Sequence, residues 1–142
     1  MVTNLYVDLC FKLYYLIFQI AAILVTGGFA AGSVLTSVEV LSADGTPLPC
    51  TLPPLPTGRW SHTQDGLITC GGGDRNCLKL SPGGWVVSHN LLESRARHSS
   101  WQSPAGLVLI GGGDYYSDTT TELLSSSDSS SSSNFTLQYD TE

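Results

Sequence analysis

Three short apolar runs along the chain each end in glycine. With the glycines that follow them, they are Ile23-Leu24-Val25-Thr26-Gly27-Gly28, Leu67-Ile68-Thr69-Cys70-Gly71-Gly72-Gly73 and Val108-Leu109-Ile110-Gly111-Gly112-Gly113. Short apolar runs that end at a turn signal are typical of buried β-strands. Glycine follows such a strand where the backbone must turn sharply beside another backbone, which only glycine allows without steric cost. The pattern therefore predicts three equivalent strands in an all-β fold.

The glycine doublets recur at a nearly constant spacing. Gly27 and Gly71 are 44 residues apart, and Gly71 and Gly111 are 40 residues apart. A glycine doublet after an apolar strand, repeated about every 40–50 residues, is typical of the blades of a propeller. The chain also contains 15 glycines and few charged residues, which favours β-structure with many tight turns.

Segments on both sides of the glycines recur as well. Upstream, Arg59-Trp60-Ser61-His62 matches Arg97-His98-Ser99-Ser100-Trp101; downstream, Thr36–Ser42 matches Thr119–Ser125. Together these features resemble the kelch repeat, in which an Arg/His segment leads into an apolar strand ending in Gly-Gly, followed by two further strands. The resemblance implies an incomplete kelch-type β-propeller of four-stranded antiparallel blades.

The resemblance also organises the chain into regions. Residues 22–142 are the kelch-repeat region, with blades over about residues 22–56, 59–92 and 95–140. Propellers usually close with four to eight blades, and each blade buries its faces against its neighbours. About two and a half blades would leave apolar ends exposed, so we interpret the chain as a fragment of a larger propeller.

Each blade has its own predicted strands. They are Ala22–Thr26, Ser37–Leu41 and Pro47–Leu52; Trp60–Gln64, Leu67–Cys70, Cys77–Leu80 and Trp85–Asn90; and His98–Gln102, Leu107–Ile110, Thr121–Ser125 and Asn134–Tyr139. Ala43-Asp44-Gly45-Thr46 carries the Asp-Gly signal of a tight turn. Residues 125–133 are all serine except Asp128, which predicts a flexible loop because serine buries no apolar area.

Residues 1–21 lie outside the repeat and have three interpretations. The run from Leu9 to Val25 is apolar except for Lys12 and Gln19. A signal peptide has a positive first region and a short apolar core, whereas Asp8 precedes Lys12 here. A membrane span needs about 20 apolar residues, which this run nearly supplies. The third interpretation is that part of this run is a blade strand or a translated non-coding sequence.

Charge and the glycine pattern exclude two classes of ligand. The net charge of -6 leaves no basic patch for nucleic acid. A phosphate-binding P-loop needs Gly-Lys followed by Ser or Thr, and no Gly-Lys occurs in the chain. A single nucleotide-binding loop would also leave the repetition of the doublet unexplained. We therefore expect no cofactor and no nucleic-acid partner.

The cysteines and one sequon indicate covalent modifications. Cys70 ends one predicted strand and Cys77 begins the next, so an antiparallel pair could bring them within bridging range; two buried thiols are the alternative. A bridge would imply an oxidising compartment, with Cys50 left free or paired beyond the C-terminus. Asn134-Phe135-Thr136 is an N-glycosylation sequon. Extracellular or membrane-associated localisation is slightly favoured over cytoplasmic.

Histidine and arginine residues have structural and functional interpretations. His62 and His98 occupy similar repeat positions, which favours a structural role over a metal site; His89 adds no metal-binding pattern. Arg59 and Arg97 either line the propeller face and bind acidic partners or pair with Glu39 and Glu122 inside the sheet. We favour the pairing, because a buried arginine needs a partner.

The kelch resemblance implies further roles. Kelch propellers mostly bind proteins through their loops, so we expect a protein-interaction module and no enzyme activity. One alternative is a secreted or membrane-tethered, disulfide-bonded propeller. Another is part of a kelch-type enzyme such as a copper oxidase, for which Tyr115 and Tyr116 do not form the expected constellation. Structural roles within the repeat fall to Trp85, packing between blades, and to Gly27, Gly28, Gly71, Gly72, Gly111 and Gly112.

Overall fold

Antiparallel β-strands make up all the regular secondary structure in the described part of the chain. This computed structural model describes residues 22–113, 120–125 and 132–135. Because every strand pair in these ranges is antiparallel, the predicted all-β antiparallel class is confirmed. In chain order the strands are β1 (Ile23–Thr26), β2 (Phe29–Ala30), β3 (Ser33–Val34), β4 (Val38–Leu41), β5 (Thr63–Asp65), β6 (Ile68–Cys70), β7 (Asn76–Ser81), β8 (Gly84–Asn90), β9 (Ser99–Ser103), β10 (Gly106–Ile110), β11 (Thr121–Ser125) and β12 (Ser132–Phe135).

The strands form four sheets, and none of these closes on itself in the described ranges. Strands β5 to β8 form one four-stranded sheet in chain order, and β9 to β12 form another. Strands β1 and β4 pair in a two-stranded sheet, while β2 and β3 form a separate hairpin. We call β1 with β4 the first repeat, β5 to β8 the second repeat and β9 to β12 the third repeat.

Cross-strand register aligns the three repeats residue by residue. In each repeat, the residue just before the glycine doublet pairs with a residue at the start of the strand that follows the glycines. This partner is the first residue of β4 and β11 and the second residue of β7. These pairs are Thr26 with Val38, Cys70 with Cys77 and Ile110 with Thr121. The predicted equivalence of the three glycine-ended strands is therefore present in the backbone pairing.

The chain divides into two compact parts. Among the described residues, one contains 22–59 together with 80–86, and the other contains 60–79 and the described residues after 86. The second part holds a buried apolar cluster formed by Cys70, Cys77, Leu91, Leu107, Leu109 and Leu124, with the half-buried Ile68 against it. This cluster joins the second repeat to the third, because it includes residues from β6, β7, β10 and β11.

The first strands of the second and third repeats begin later than predicted. Strand β5 begins at Thr63 and not at Trp60, and β9 begins at Ser99 and not at His98. Ser61 has a φ of 54° and Arg97 a φ of 57°, which is left-handed backbone that cannot continue an extended strand. The predicted start at Trp60 is therefore wrong, because Ser61 lies inside the predicted strand, and the predicted start at His98 is one residue early.

The region after β4 also differs from its prediction. No strand covers 47–52; a single bridge joins Leu41 to Pro47, and the Leu48 N–H donates to the Val40 carbonyl at 2.9 Å. Pro47 and Pro49 have no N–H to continue a ladder, so the predicted fourth strand of the first repeat is wrong. The predicted turn is present, since the Thr46 N–H donates to an Asp44 carboxylate oxygen at 2.9 Å.

Two further differences concern short segments. The β2–β3 hairpin was not predicted; it turns through Ala31 and Gly32, whose φ angles are 49° and 77°. Two positive φ values in a two-residue loop match the twist of a tight hairpin. Strand β12 begins at Ser132, inside the predicted serine loop, whereas 126–131 and 136–142 lie outside the described residues.

Candidate functional site

The glycine doublets make the same backbone contact in every repeat. In each repeat the N–H of the first glycine donates to a backbone carbonyl of the chain opposite. The acceptor is the residue that precedes Val38, Cys77 or Thr121, the strand partners named above. The bonds run from Gly27 to Ser37 (2.8 Å), from Gly71 to Asn76 (3.2 Å) and from Gly111 to Thr120 (3.0 Å). All six doublet glycines have positive φ, between 60° and 112°. The doublet thus closes each strand pair and turns the chain away from it.

In two doublets, the second glycine binds the backbone of a buried arginine further along the chain. We call the residues around these arginines, Arg59–His62 and Arg95–His98, the arginine segments. The Gly28 N–H donates to the Arg59 carbonyl at 2.7 Å, and the Gly72 N–H donates to the Arg95 carbonyl at 2.7 Å. Arg59 and Arg95 are therefore structurally equivalent. The sequence match of Arg59 with Arg97 is wrong by two residues.

A longer hairpin in the third repeat explains this two-residue error. Strands β9 and β10 have five residues each, whereas β5 and β6 have three. Gly71 follows Arg59 by 12 positions, whereas Gly111 follows Arg95 by 16, so the hairpin adds four residues. The sequence match to Arg97 allows for only two of these four residues and is therefore two positions short. The spacing Arg-x-x-His, in Arg59 to His62 and in Arg95 to His98, is the signal that could have found the correct match.

Arg95 forms a buried ion pair with Glu122. Its Nε donates to the Glu122 carboxylate at 3.1 Å, and both side chains have zero exposure. The same guanidinium donates to the Gly111 carbonyl at 2.8 Å and to the Thr120 hydroxyl at 2.7 Å. The other Glu122 oxygen accepts from the Leu92 N–H at 2.8 Å. A buried pair with this many charge-assisted hydrogen bonds fixes the arginine segment against the third repeat.

The predicted partner of Glu122 is thus corrected from Arg97 to Arg95. Arg59, the equivalent of Arg95 in the second repeat, is also fully buried. Glu39, the equivalent of Glu122 in the first repeat, is exposed on β4. The buried arginine position is therefore common to both repeats, whereas the buried glutamate belongs to the third repeat.

His98 lies between the glycine doublets of the second and third repeats. A Cβ on Gly71 would lie 2.7 Å from its Cε1, and a Cβ on Gly112 would lie 2.8 Å from its Cβ. Its Nε2 is 2.9 Å from the Thr63 hydroxyl, while its buried Nδ1 has no hydrogen-bond partner among the residues that the structure describes. Burial, followed by the positive charges of Arg95 and His62, lowers the pKa of His98 to about 4.

Stability should fall as the pH drops from 6.5 towards 4. The pKa of His98 is below its ordinary value in the folded protein, so the unfolded chain binds more protons in this window. The stability that neutral His98 contributes is complete above pH 6.5 and is lost as the pH falls through about 4. We expect this loss to be about 1–2 kcal/mol of unfolding free energy, because solvent screening reduces the effect of the pKa shift. Urea unfolding at several pH values measures it. His98→Gln should flatten the profile in this window, and an unchanged profile would reject the assignment to His98.

Arg97, the residue before His98, forms an exposed pair with Trp60. The Arg97 guanidinium carbon lies 5.6 Å from the centroid of the Trp60 ring, which is cation–π geometry. The Arg97 N–H donates to the Ser61 carbonyl at 2.8 Å, and both residues have left-handed backbone. Within the described residues, the Arg97 side chain makes no hydrogen bond or ion pair. The Arg97 side chain is exposed and lies over the Trp60 ring.

The Cys70–Cys77 disulfide is confirmed. The two residues are direct cross-strand partners in β6 and β7, with Cα atoms 4.1 Å apart. The bond closes the loop that carries Gly71 and Gly72, and both cysteines are buried in the apolar cluster. Cys50 is also disulfide-bonded, so the alternative of a free thiol at this position is wrong.

Removing the Cys70–Cys77 bond should destabilise the protein. We expect Cys70→Ala with Cys77→Ala to lower the free energy of unfolding by about 2–3 kcal/mol, since an open loop gains entropy in the unfolded chain. Urea unfolding without reductant measures the loss. As a direct check, an alkylating reagent added to the denatured, unreduced protein should leave both cysteines unlabelled. Labelled Cys70 or Cys77 in that experiment would contradict the bond.

The remaining candidate residues are dispersed. The Trp85 indole N–H donates to the Pro53 carbonyl at 2.9 Å, so Trp85 anchors the proline-rich connection. His89 lies 3.1 Å from the Ser88 hydroxyl. Asn134 is in β12 and pairs with Glu122 across the strands. Tyr115 and Tyr116 lie outside the described residues. Among the residues that are described, no three His, Cys, Asp or Glu side chains are grouped to hold a metal ion.

The comparisons with known proteins do not assign a family. No protein-family model matches the chain, and no curated protein matches it in sequence. The search for membrane spans covered the described residues and found no helix with the length and apolarity needed to cross a bilayer. The N-terminal run over 1–21 lies outside those residues, so its interpretations stay predictions.

Proposed function

We propose that this chain is part of a kelch-type β-propeller that binds another protein through its loops. Three features support the propeller: the four-stranded sheets in chain order, the repeated glycine contacts, and the arginine segments bound to them. The first two features shape each repeat, and the third ties a repeat to the segment that begins the next one. Fold alone does not grant a function, so the binding proposal depends on the exposed surface.

The exposed Trp60–Arg97 pair is the observation that carries the binding proposal. Tryptophan and arginine are the residues most enriched where binding energy concentrates. The Arg97 N–H bonds to the carbonyl of Ser61, the residue after Trp60, which holds the two segments together, so little freedom is lost on binding. A guanidinium with open donors suits a carboxylate, and we therefore propose a protein partner with an acidic contact residue.

Affinity capture with paired variants tests this proposal. The intact chain and a Trp60→Ala/Arg97→Ala variant would be used as bait, and captured proteins would be compared quantitatively. A specific partner should be lost from the variant by about tenfold or more and should bind the purified wild-type chain directly. Trp101→Ala, which removes an exposed tryptophan on β9, is the matched control and should retain the partner. A partner that binds the double variant equally would overturn the assignment to this surface.

Secretion or membrane tethering is the second candidate. It is favoured by the Cys70–Cys77 bond together with the bonded Cys50, because disulfides persist in oxidising compartments. The sequon at Asn134 agrees with this proposal. Enzymatic deglycosylation of the protein from its native source should reduce its mass, and free thiols at Cys70 and Cys77 in that material would reject the candidate.

A further inference from the structure

The packing of the second repeat on the third defines two kinds of sheet face. Leu107, Leu109 and Leu124 of the third repeat lie in one cluster with Cys70 and Cys77 of the second repeat. We define the leading face of a repeat as the sheet face on which Leu107 and Leu109, or the residues equivalent to them in the other repeats, lie. The opposite face, which carries the Cys70 position, is its trailing face. The internal contact therefore joins a trailing face to a leading face.

The first repeat exposes its leading face. Val25 is the register equivalent of Leu109, and Ile23 is the equivalent of Leu107. Ile23 is 47% exposed and Val25 is 43% exposed, although both leucines are buried. Apolar side chains at alternate positions of one strand form a continuous strip on one side of the sheet. The first repeat thus presents to solvent the face that the third repeat buries.

The third repeat exposes two large apolar side chains on its trailing face, Ile110 and Trp101, although Val108 and Thr121 on the same face are buried. Ile110 is the equivalent of the buried Cys70 but is 42% exposed. Trp101 pairs directly with Val108 across β9 and β10, so it lies on this same face, and it is 60% exposed. Large exposed apolar groups gathered on one face mark an interaction surface.

The glycines of the third repeat bind back to the second repeat's side of the contact. The second glycine of the first and second doublets donates to Arg59 and Arg95 respectively. In the third repeat the next glycine, Gly113, donates its N–H to the Ala96 carbonyl at 3.0 Å. The exposed apolar side chains, and not the glycine contacts, therefore carry the comparison of the faces.

We propose that a second copy of this chain covers these faces, with the leading face of one copy against the trailing face of the other. The chain already makes this contact once, between its second and third repeats, so its two exposed faces are complementary in kind. The contact uses different surfaces on the two copies, which makes the association head-to-tail. This inference does not depend on the proposed partner protein, because it uses neither Trp60 nor Arg97.

Sedimentation of the purified full chain over a range of concentrations tests the proposal. The wild type should form dimers or larger species at micromolar concentrations. Val25→Lys on the leading face and Ile110→Lys on the trailing face should each weaken association about tenfold or more, because each places a charge in the apolar contact. Val34→Lys, at an exposed valine of the β2–β3 hairpin outside both faces, is the matched control and should associate as the wild type does.

Mixing the two variants distinguishes head-to-tail from symmetric association. Val25→Lys keeps an intact trailing face and Ile110→Lys keeps an intact leading face, so an equal mixture should form a heterodimer and nothing larger. If either variant fails to fold, as judged by circular dichroism, Ile23→Lys or Trp101→Lys replaces it on the same face. A monomeric wild type at about 100 µM, well above a micromolar dissociation constant, would overturn the proposal. Failure of the mixture to associate would do the same, and would leave further repeats of a longer chain as the occupants.

Discussion

Replacing Glu122 by glutamine should lower the free energy of unfolding by about 3–5 kcal/mol. The glutamine oxygen can still accept from the Leu92 N–H, so the substitution removes the charge and keeps this hydrogen bond. The Arg95 guanidinium would then be a buried charge without its counter-charge, which is the costly half of a broken ion pair. Urea unfolding of both proteins at neutral pH, without reductant, measures the difference.

Glu39→Gln is the matched control for this substitution. Glu39 occupies the equivalent position in the first repeat but is exposed, so its replacement should change the free energy of unfolding by less than about 0.5 kcal/mol. Equal losses for the two variants would show that the Arg95–Glu122 pair has no special role. A small loss for Glu122→Gln would contradict its burial.

Replacing Gly71 by alanine should be almost as damaging. Gly71 has a φ of 70°, and a Cβ there would lie 2.3 Å from the Arg95 carbonyl oxygen and 2.7 Å from the His98 ring. The first contact is with backbone, which cannot rotate away as a side chain can. Left-handed strain and this overlap together should cost about 3–5 kcal/mol in urea unfolding.

Gly73→Ala separates the overlap from the backbone strain. Gly73 also has positive φ, 100°, but a Cβ at this position would meet nothing within 4 Å. Its replacement should cost only about 1–2 kcal/mol, the penalty of left-handed backbone alone. If the two alanine variants were equally stable, the arginine segment would not lie against Gly71.

The glycine-ended strands were predictable because local chemistry decides them. Apolar runs such as Leu107–Leu109 are buried, and glycines at positive φ follow them. The same pattern placed Cys70 and Cys77 on adjacent strands within bridging range, but it left a bridge and two buried thiols as alternatives, and the structure shows the bridge. Neither inference needed knowledge of distant contacts.

The arginine contacts were not predictable in detail because they depend on hairpin length. The strands of the β9–β10 hairpin contain four more residues than β5 and β6 together, and the match to Arg97 allowed for only two of them. The left-handed backbone of Ser61 and Arg97 is equally hidden, since neither residue type favours it. The proline-rich stretch after β4 failed as a strand because Pro47 and Pro49 lack the N–H of a ladder.

Amide hydrogen exchange at the glycine doublets tests the central claim most directly. The claim is that the second glycine of one doublet binds the arginine segment of the next repeat. The Gly28 and Gly72 amides, bonded to Arg59 and Arg95, should exchange orders of magnitude more slowly than the amide of Gly73, which has no acceptor in the described part of the chain. Exchange of Gly28 and Gly72 as fast as Gly73 would contradict the account.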